Sequence, residues 1–339
     1  MLEPTGQRET RGAAEAASLA VVLVDHNGLP DTRDCLRSLA RGSKAPLRIL
    51  VVNTGHAEAC GPLAREFPQV ELLQAGGNVG FGAANNLALE LLLRSQPRPE
   101  FVLLLNNDCV VEPDAIARLA GHLAGHAEVA AVAPRILLRD DLGRLWAAGG
   151  GHVAWRAFSY NRGQDERDDG RWDAPGEMTF LSACAFLARL SAFERGGMFD
   201  PDFFLYGEDA ELCARWQRAG LRLFYLPAAR VLHRGSVAAG DEYAPLQAYL
   251  RYRNRLLLAR KTLGAGGWLR FLLVALPLLV ARDCVRQLRA GRGAAFRASL
   301  GGLSAYFRGE RGRPAMVPEH PARPAWVVAS PRSARAPTG

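Results

Sequence analysis

The chain has 339 residues, 49% hydrophobic and 22% charged, the profile of a packed globular protein and not of a disordered or fibrous one. Its formal net charge of +8 is unevenly placed. Residues 1–280 carry as many carboxylates as cations, whereas in 281–339 eleven arginines face only Asp283, Glu310 and Glu319. A body that balances to zero needs no polyanionic partner, which excludes nucleic acid as its ligand.

Residues 1–17 are polar with no apolar core, so they read as a disordered N-terminus and not as a signal peptide. Ala20–Asp25 and Leu47–Val52 are short β-branched runs of the kind buried in a parallel sheet. Between them, Asp31–Ala40 reads as a helix with Asp31 as its N-cap and Cys35, Leu36 and Leu39 on one face. Val70–Gln74 is a further strand, Gly82–Ser95 a helix with a broad apolar face, Phe101–Asn107 a central strand, and another helix follows from Pro113. This alternation over 18–125 predicts an α/β fold with an open, Rossmann-like, mostly parallel central sheet flanked by helices. Ligands of such sheets bind at the strand C-termini.

From Glu128 the texture changes. Strand-like segments at 129–136, 178–190 and 221–226 flank a polar stretch, Tyr160–Gly176, expected to form an exposed loop over the site. Glu208–Gly220 reads as one helix stopped by its glycine, and the chain from about Tyr243 is helical. Trp268–Arg282 is strongly apolar, but Arg270 and Pro277 interrupt it and its uncharged run is too short to span a bilayer. Arg282, Arg286, Arg289, Arg292 and Arg297 follow it, the composition of a membrane-surface segment over 268–297; a core helix followed by a solvated arginine-rich tail is the alternative. The six cysteines are widely spaced, with no C-x-x-C pair and no Cys/His cluster of zinc-ligand spacing, which fits buried thiols in a reducing compartment.

Four places could carry chemistry. Asn106-Asn107-Asp108 closes a buried strand, and an Asn-x-Asp there offers oxygen ligands for a hard divalent cation bridging phosphates; a simple turn is the alternative. Glu208 and Asp209 open a helix, where acidic residues are favoured for structural reasons. The aromatic run Phe203-Phe-Leu-Tyr206 before them would also desolvate the pair and suit one as a general base. His233, just past a strand, is either structural or completes a metal site with Asp108. The Gly-rich run from Gly76 to Asn86 lets backbone N–H groups approach a phosphate or sugar, yet it matches neither a dinucleotide fingerprint nor a P-loop.

The order of these elements resembles the family 2 glycosyltransferases of the GT-A fold, in particular the bacterial rhamnosyltransferase and galactofuranosyltransferase branch. The resemblance runs from about Leu19 to Arg255. It is carried by Val22–Asn27, Asn78-Val-Gly80-Phe-Gly82, Leu105–Asp108, the Phe199-Asp200…Phe203-Phe204-Leu-Tyr206-Gly-Glu208-Asp209 block, Leu226-Pro227, His233 and Tyr252-Arg253-Asn254. It implies a GT-A type sheet with a C-terminal helical extension. In its terms, 18–125 is the nucleotide-sugar-binding half and 126–240 the acceptor-binding and catalytic half. Residues 241–308 are the helical extension with its membrane-surface segment, and 309–339 a basic disordered tail.

By the same resemblance, Asp108 and His233 ligate Mg²⁺ or Mn²⁺, Asp209 is the catalytic base and Glu208 its neighbour contacting acceptor or donor. Asn27, Asn53, Asn78, Gly80, Asn106 and Asn107 line the nucleotide-sugar pocket. The implied activity is inverting transfer from dTDP-rhamnose, or next a UDP-hexose, to a lipid-linked or cell-surface glycan, in cell wall or polysaccharide biosynthesis, at the cytoplasmic face of the cell membrane. Two departures stand out: Asn53 replaces the usual base-reading Asp, and Asp25-His26 stands where a small or hydroxyl residue and Tyr are common. The competing readings are a non-catalytic accessory protein that binds nucleotide sugar or glycan, and a nucleotidyltransferase. The second lacks a Lys- or Arg-bearing phosphate loop in Val24–Pro30.

Overall fold

The computed structural model describes residues 18–46, 48–56, 60–235 and 244–317. Strands β1 (Leu19–Asp25), β2 (Arg48–Asn53), β3 (Val70–Gln74) and β4 (Phe101–Asn106) run parallel in the order β3-β2-β1-β4. Their continuous apolar runs follow from burial on both faces. Ala20 and Val22 of β1 point into a core with Ala84, Ala88 and Leu89 of helix α3 (Phe81–Arg94). Leu19, Val21 and Leu23 point the other way, into a core shared with Cys35, Leu36 and Leu39 of α1 (Leu29–Ala40) and Leu63 of α2 (Cys60–Glu66).

Helix α1 starts two residues earlier than its acidic residue suggested. Gly28 is its N-cap, Pro30 lies in the first turn where its missing N–H costs nothing, and Asp31 is a first-turn carboxylate and not the cap.

The chain continues through β5 (Cys109–Val111), α4 (Ala115–Gly125), β6 (Val129–Leu138), β7 (Asp141–Ala148) and the β8–β9 hairpin (Gly150–Val153, Phe158–Asn161). Then come β10 (Gly176–Met178), β11 (Ala185–Arg189), α5 (Leu190–Gly196), α6 (Glu208–Arg218) and β12 (Arg222–His233). One ten-stranded sheet results, in the order β10-β12-β6-β11-β4-β1-β2-β3, with β5 against β12 and β7 against β6. Strand β11 is antiparallel between β4 and β6, and β12 is parallel to β6.

Three expectations for this half need correction. The strand expected over 178–190 is two strands, because residues between them leave the ladder to bond at the site: Asn106 N–H donates to Cys184 O (2.8 Å). Strand β12 runs past 226 to His233, since a register shift between Leu226 and Arg230 absorbs Pro227, which has no N–H for the ladder. The polar stretch after Tyr160 does not hang over the cleft. Buried Arg135 of β6 binds Asp168 (2.9 Å) and Asp173, and Tyr225 O–H donates to Trp172 O (3.1 Å), tying it to the outer sheet.

Beyond the sheet lie α7 (Ala244–Thr262) and α8 (Ala265–Arg270), which passes through a π turn (Phe271–Ala275) into α9 (Leu276–Arg289), and then α10 (Gly293–Phe307). The wide turn falls just before Pro277, whose ring opposes a regular bond to residue 273. Helix α10 packs on α7 so closely that a Cβ at Gly302 would lie 2.1 Å from Tyr249 O. Residues 309–317 are packed where a disordered tail was expected to begin: Tyr249 O–H donates to Glu310 (2.7 Å) and Gly312 N–H to Asp202 O (2.8 Å). Residues 1–17 and 318–339, also expected to be disordered, lie outside the described residues. Among the described residues no helix is long and apolar enough to cross a membrane.

Candidate active site

The C-terminal ends of β1, β2 and β3 meet in a polar cluster. Asp25, 3% exposed, accepts from Gly28 N–H (3.2 Å), Thr32 Oγ1 (2.6 Å) and Asn107 Nδ2 (3.1 Å). Asn107 also donates to Thr32 Oγ1 (2.9 Å), so its amide joins the β4–β5 turn to the start of α1. Asn53 is 2% exposed and closes its own turn: Nδ2 donates to His56 O (2.9 Å) and Gln74 Oε1 (2.8 Å), and Oδ1 accepts from Gly55 N–H (3.0 Å). A carboxylate has no N–H for the first two bonds, so Asn at 53 and Gln at 74 form a matched pair.

His26 and Asn27 are exposed at this edge. Asn27 has φ +59°, and its Oδ1 accepts from His56 N–H (3.0 Å). A Cβ at Gly55 would fall 2.2 Å from that oxygen, which leaves room only for glycine.

The Gly-rich run turns out to dock α3 against the aromatic block far along the chain. Asn78 Oδ1 accepts from Gly80 N–H (3.2 Å), Phe81 N–H donates to Phe204 O (3.0 Å), and Asn86 exchanges two bonds with the Phe199 backbone (2.8 and 3.0 Å). Gly80 has φ +89°, and a Cβ there would lie 2.3 Å from Phe204 O. The block then passes through Tyr206 and Gly207, both at positive φ (68° and 93°). Asn254 Nδ2 holds that turn by donating to Leu205 O and Tyr206 O (both 2.7 Å), and buried Arg253 donates to Asn254 Oδ1 (3.0 Å). The strained turn thus aims the first residues of α6.

Glu208 is buried, its Oε2 without a hydrogen-bond partner among the described residues, while Asp209 reaches the wall of a cleft of about 600 Å³. Burial raises Asp209 to about 6 against the N–H groups of Ala183 (3.4 Å) and Ala210 (2.8 Å), which favour its charge. Burial, with the Asp209 charge beside it, raises Glu208 to about 8. Burial disfavours two charges so close together, so near neutral pH the pair shares one proton.

At the other side of the same segment, His233 Nε2 at the end of β12 stands 3.2 Å from Asp108 Oδ1. That oxygen is buried and, apart from this ring, has no hydrogen-bond partner among the described residues. Ligand distances of about 2.0–2.2 Å place neighbouring ligands of a six-coordinate cation roughly 3 Å apart, so this pair fits two positions on a divalent ion. Gly235 N–H faces Nδ1 at 3.2 Å, and a cation at Nε2 requires that contact to open and the ring proton to sit on Nδ1.

Behind them, Cys109 and Cys184 lie 3.6 Å apart, and their thiols with His233 form a group within 4.8 Å. Sequence spacing showed no such Cys/His cluster; three separate segments build it. Ala183 and Cys184 are consecutive, so one step of chain links the Asp209 side of the site to Asn106 and the His233 side. Five arginines of the cleft (Arg156, Arg251, Arg255, Arg282 and Arg286) were not singled out for the site from the sequence either.

A largely parallel sheet flanked by helices, with polar side chains gathered at its strand ends, has the architecture of a GT-A glycosyltransferase. The family model described as "Glycosyltransferase like family 2" matches residues 17–257, and the chain belongs to that family. It is 27% identical over 278 residues, 74% of this chain and 86% of the relative, to the N-acetylglucosaminyl-diphospho-decaprenol L-rhamnosyltransferase of Mycobacterium tuberculosis. It is also 27% identical over 172 residues to rhamnosyltransferase WbbL of Escherichia coli, 47% of this chain and 62% of the relative.

Among solved structures, the fold resembles a mannosyltransferase from Pyrobaculum calidifontis in complex with GDP-Man and Mn²⁺ (TM-score 0.54, 13% identity, 90% of this chain and 98% of that one). It also resembles GalNAc-T7 with UDP, GalNAc and Mn²⁺ (TM-score 0.51, 16% identity, 64% and 44%). The protein is a glycosyltransferase enzyme with relatives in the rhamnosyltransferase branch.

Proposed function

We propose that this enzyme is inverting and metal-dependent, moving a sugar from a nucleotide-diphosphate sugar to a hydroxyl of a lipid-linked or cell-surface glycan. The reading is carried by one observation: desolvated Asp209 lines a cleft and is joined through Ala183-Cys184 to the Asp108–His233 pair. Asp209 takes the acceptor hydroxyl proton as that oxygen bonds to the anomeric carbon. The bond from the anomeric carbon to the diphosphate breaks, and its electron pair leaves on the phosphate oxygen. Mg²⁺ or Mn²⁺ held by Asp108 and His233 would supply positive charge for the leaving nucleoside diphosphate. Asn27, Asn106 and the Asn78–Gly80 turn border the donor, while Asn53 and Asn107 shape its pocket through bonds within the protein. Glu208, buried beside the base, shares a proton with it and so helps hold the pair at a single charge.

The rhamnosyltransferase relatives favour dTDP-rhamnose as donor, with a UDP-hexose next. A panel of nucleotide sugars incubated with Mn²⁺ or Mg²⁺ tests this. Nucleoside diphosphate release is expected with dTDP-rhamnose, and silence across the whole panel would favour the accessory-protein reading instead.

The acceptor reading places the enzyme at the cytoplasmic membrane face. Leu269, Leu273, Leu278, Val285 and Leu288 of α8, the π turn and α9 are between 49% and 68% exposed, a stripe flanked by Arg282, Arg286 and Arg289. Such a face suits anionic lipid, at about 1 kcal/mol per cation near the surface. The full chain is expected to sediment with vesicles containing phosphatidylglycerol, and Leu273→Glu/Leu278→Glu to stay in the supernatant. Equal sedimentation of both proteins rules the stripe out.

A further inference from the structure

The cleft that holds Asp209 is lined by Arg156, Arg251, Arg255, Arg282 and Arg286, against only two carboxylates, Asp209 and Asp283. Asp283 is already taken: it accepts from Tyr252 O–H (3.0 Å) and stands 3.6 Å from both Arg282 and Arg286. Among the described residues Arg156, Arg251 and Arg255 have no carboxylate within ion-pair distance.

Among the described residues Arg255 donates only its Nε–H, to Ala157 O (3.3 Å), and its guanidinium lies 5.0 Å over the Phe158 ring. Arg156 is held between Trp155 (5.7 Å) and Phe158 (5.9 Å). Aromatic faces fix these planar cations and leave their N–H edges for an anion, an arrangement suited to phosphate oxygens. Unneutralised cations converging on one concave space mark a place for an anion, because like charges so close are otherwise unfavourable.

We propose that this cleft is a phosphate-binding subsite for the acceptor, taking the phosphate or diphosphate ester attached to the sugar that is glycosylated. The proposal rests on the glycosyl-transfer reading above and adds the acceptor's chemical class. Two of its arginines, Arg282 and Arg286, lie on α9, beyond the 17–257 that the family model matches. The helical extension is therefore part of the substrate site and not only a membrane contact. The exposed stripe continues onto the same helix, with Leu278 and Val285 beside those arginines in sequence, so a lipid chain on the stripe leads directly to the cleft.

Calorimetry of the full chain in EDTA, which removes any cation from the donor site, tests the subsite with inorganic pyrophosphate and with farnesyl diphosphate. Both are expected to bind, and Arg282→Gln/Arg286→Gln to weaken both by about tenfold or more, as for loss of charge-assisted bonds. Both side chains are exposed, so the variant is expected to keep its melting temperature; Arg251→Gln, from α7, is a second and independent probe. Arg282→Lys/Arg286→Lys recovers part of the affinity. Tighter binding of farnesyl diphosphate than of pyrophosphate assigns the phosphate to a lipid-linked acceptor, and equal binding to a water-soluble phosphorylated one.

Absence of binding to wild type, or unchanged affinity in both glutamine variants, overturns the proposal. Wild-type release of nucleoside diphosphate from its donor in Mn²⁺ is scored separately. Failure of that reaction with intact pyrophosphate binding overturns the glycosyl-transfer reading and leaves the anion site standing.

Discussion

Asp209→Asn is expected to lower the rate of sugar transfer by about 10²–10⁴-fold, the range a positioned general base contributes. Asn keeps the shape, and its one oxygen can still accept the shorter bond, from Ala210 N–H (2.8 Å), giving up only the long one from Ala183 (3.4 Å), so α6 stays in place while the proton acceptor is lost. Nucleotide-sugar affinity, read by calorimetry, stays near wild type because the donor end of the site is untouched. Turnover in the variant equal to wild type would falsify the assignment.

The pH profile is an independent check on the same residue. As the proposed base Asp209 acts in its ionised form, and burial raises it to about 6, so activity is expected to fall as pH drops through about 6. A limb near 4, the ordinary aspartate value, would show that the cleft does not desolvate the group.

Asp108→Ala is expected to abolish the part of nucleotide affinity that depends on a divalent cation. Loss of partners that merely orient a ligand costs about 10–100-fold in metal affinity, and loss of a ligand itself should cost more. Titration of nucleoside diphosphate with and without Mn²⁺ reads the difference directly: wild type tightens when the ion is added, and the variant does not. Equal tightening in both would place the cation elsewhere. His233, whose ring packs 4.7 Å from Trp146, is held rigidly enough that removal of its partner should not collapse the strand end.

The first half of the fold was legible because each of its strands is buried on both faces and so appears as an unbroken apolar run between helical periods. The second half depends on events that local pattern does not encode. Pro227 ordinarily ends a strand, yet a shift in register lets β12 continue to His233. Residues 179–184 have the composition of a strand but bond sideways to the site. Among candidate site residues, Asp108, His233 and Asp209 were visible by type and position. Asn53 and Asn107 were visible too, but not that their amides are held by neighbours, since the direction of a hydrogen bond is set by tertiary contacts. The cleft arginines come from the β8–β9 connection, α7 and α9, and no spacing along the chain marks such a convergence.

The π turn at Phe271–Ala275 sets the angular phase of everything that follows it. One residue of an α-helix corresponds to about 100° of rotation, and a π turn accommodates one extra residue. Written as regular α-helix, the same segment would swing Arg282 and Arg286 off the cleft and turn Leu278 away from its present heading. The irregular turn is therefore a gearing element: it sets at once the heading of Arg282 and Arg286, into the cleft, and of Leu278, outward.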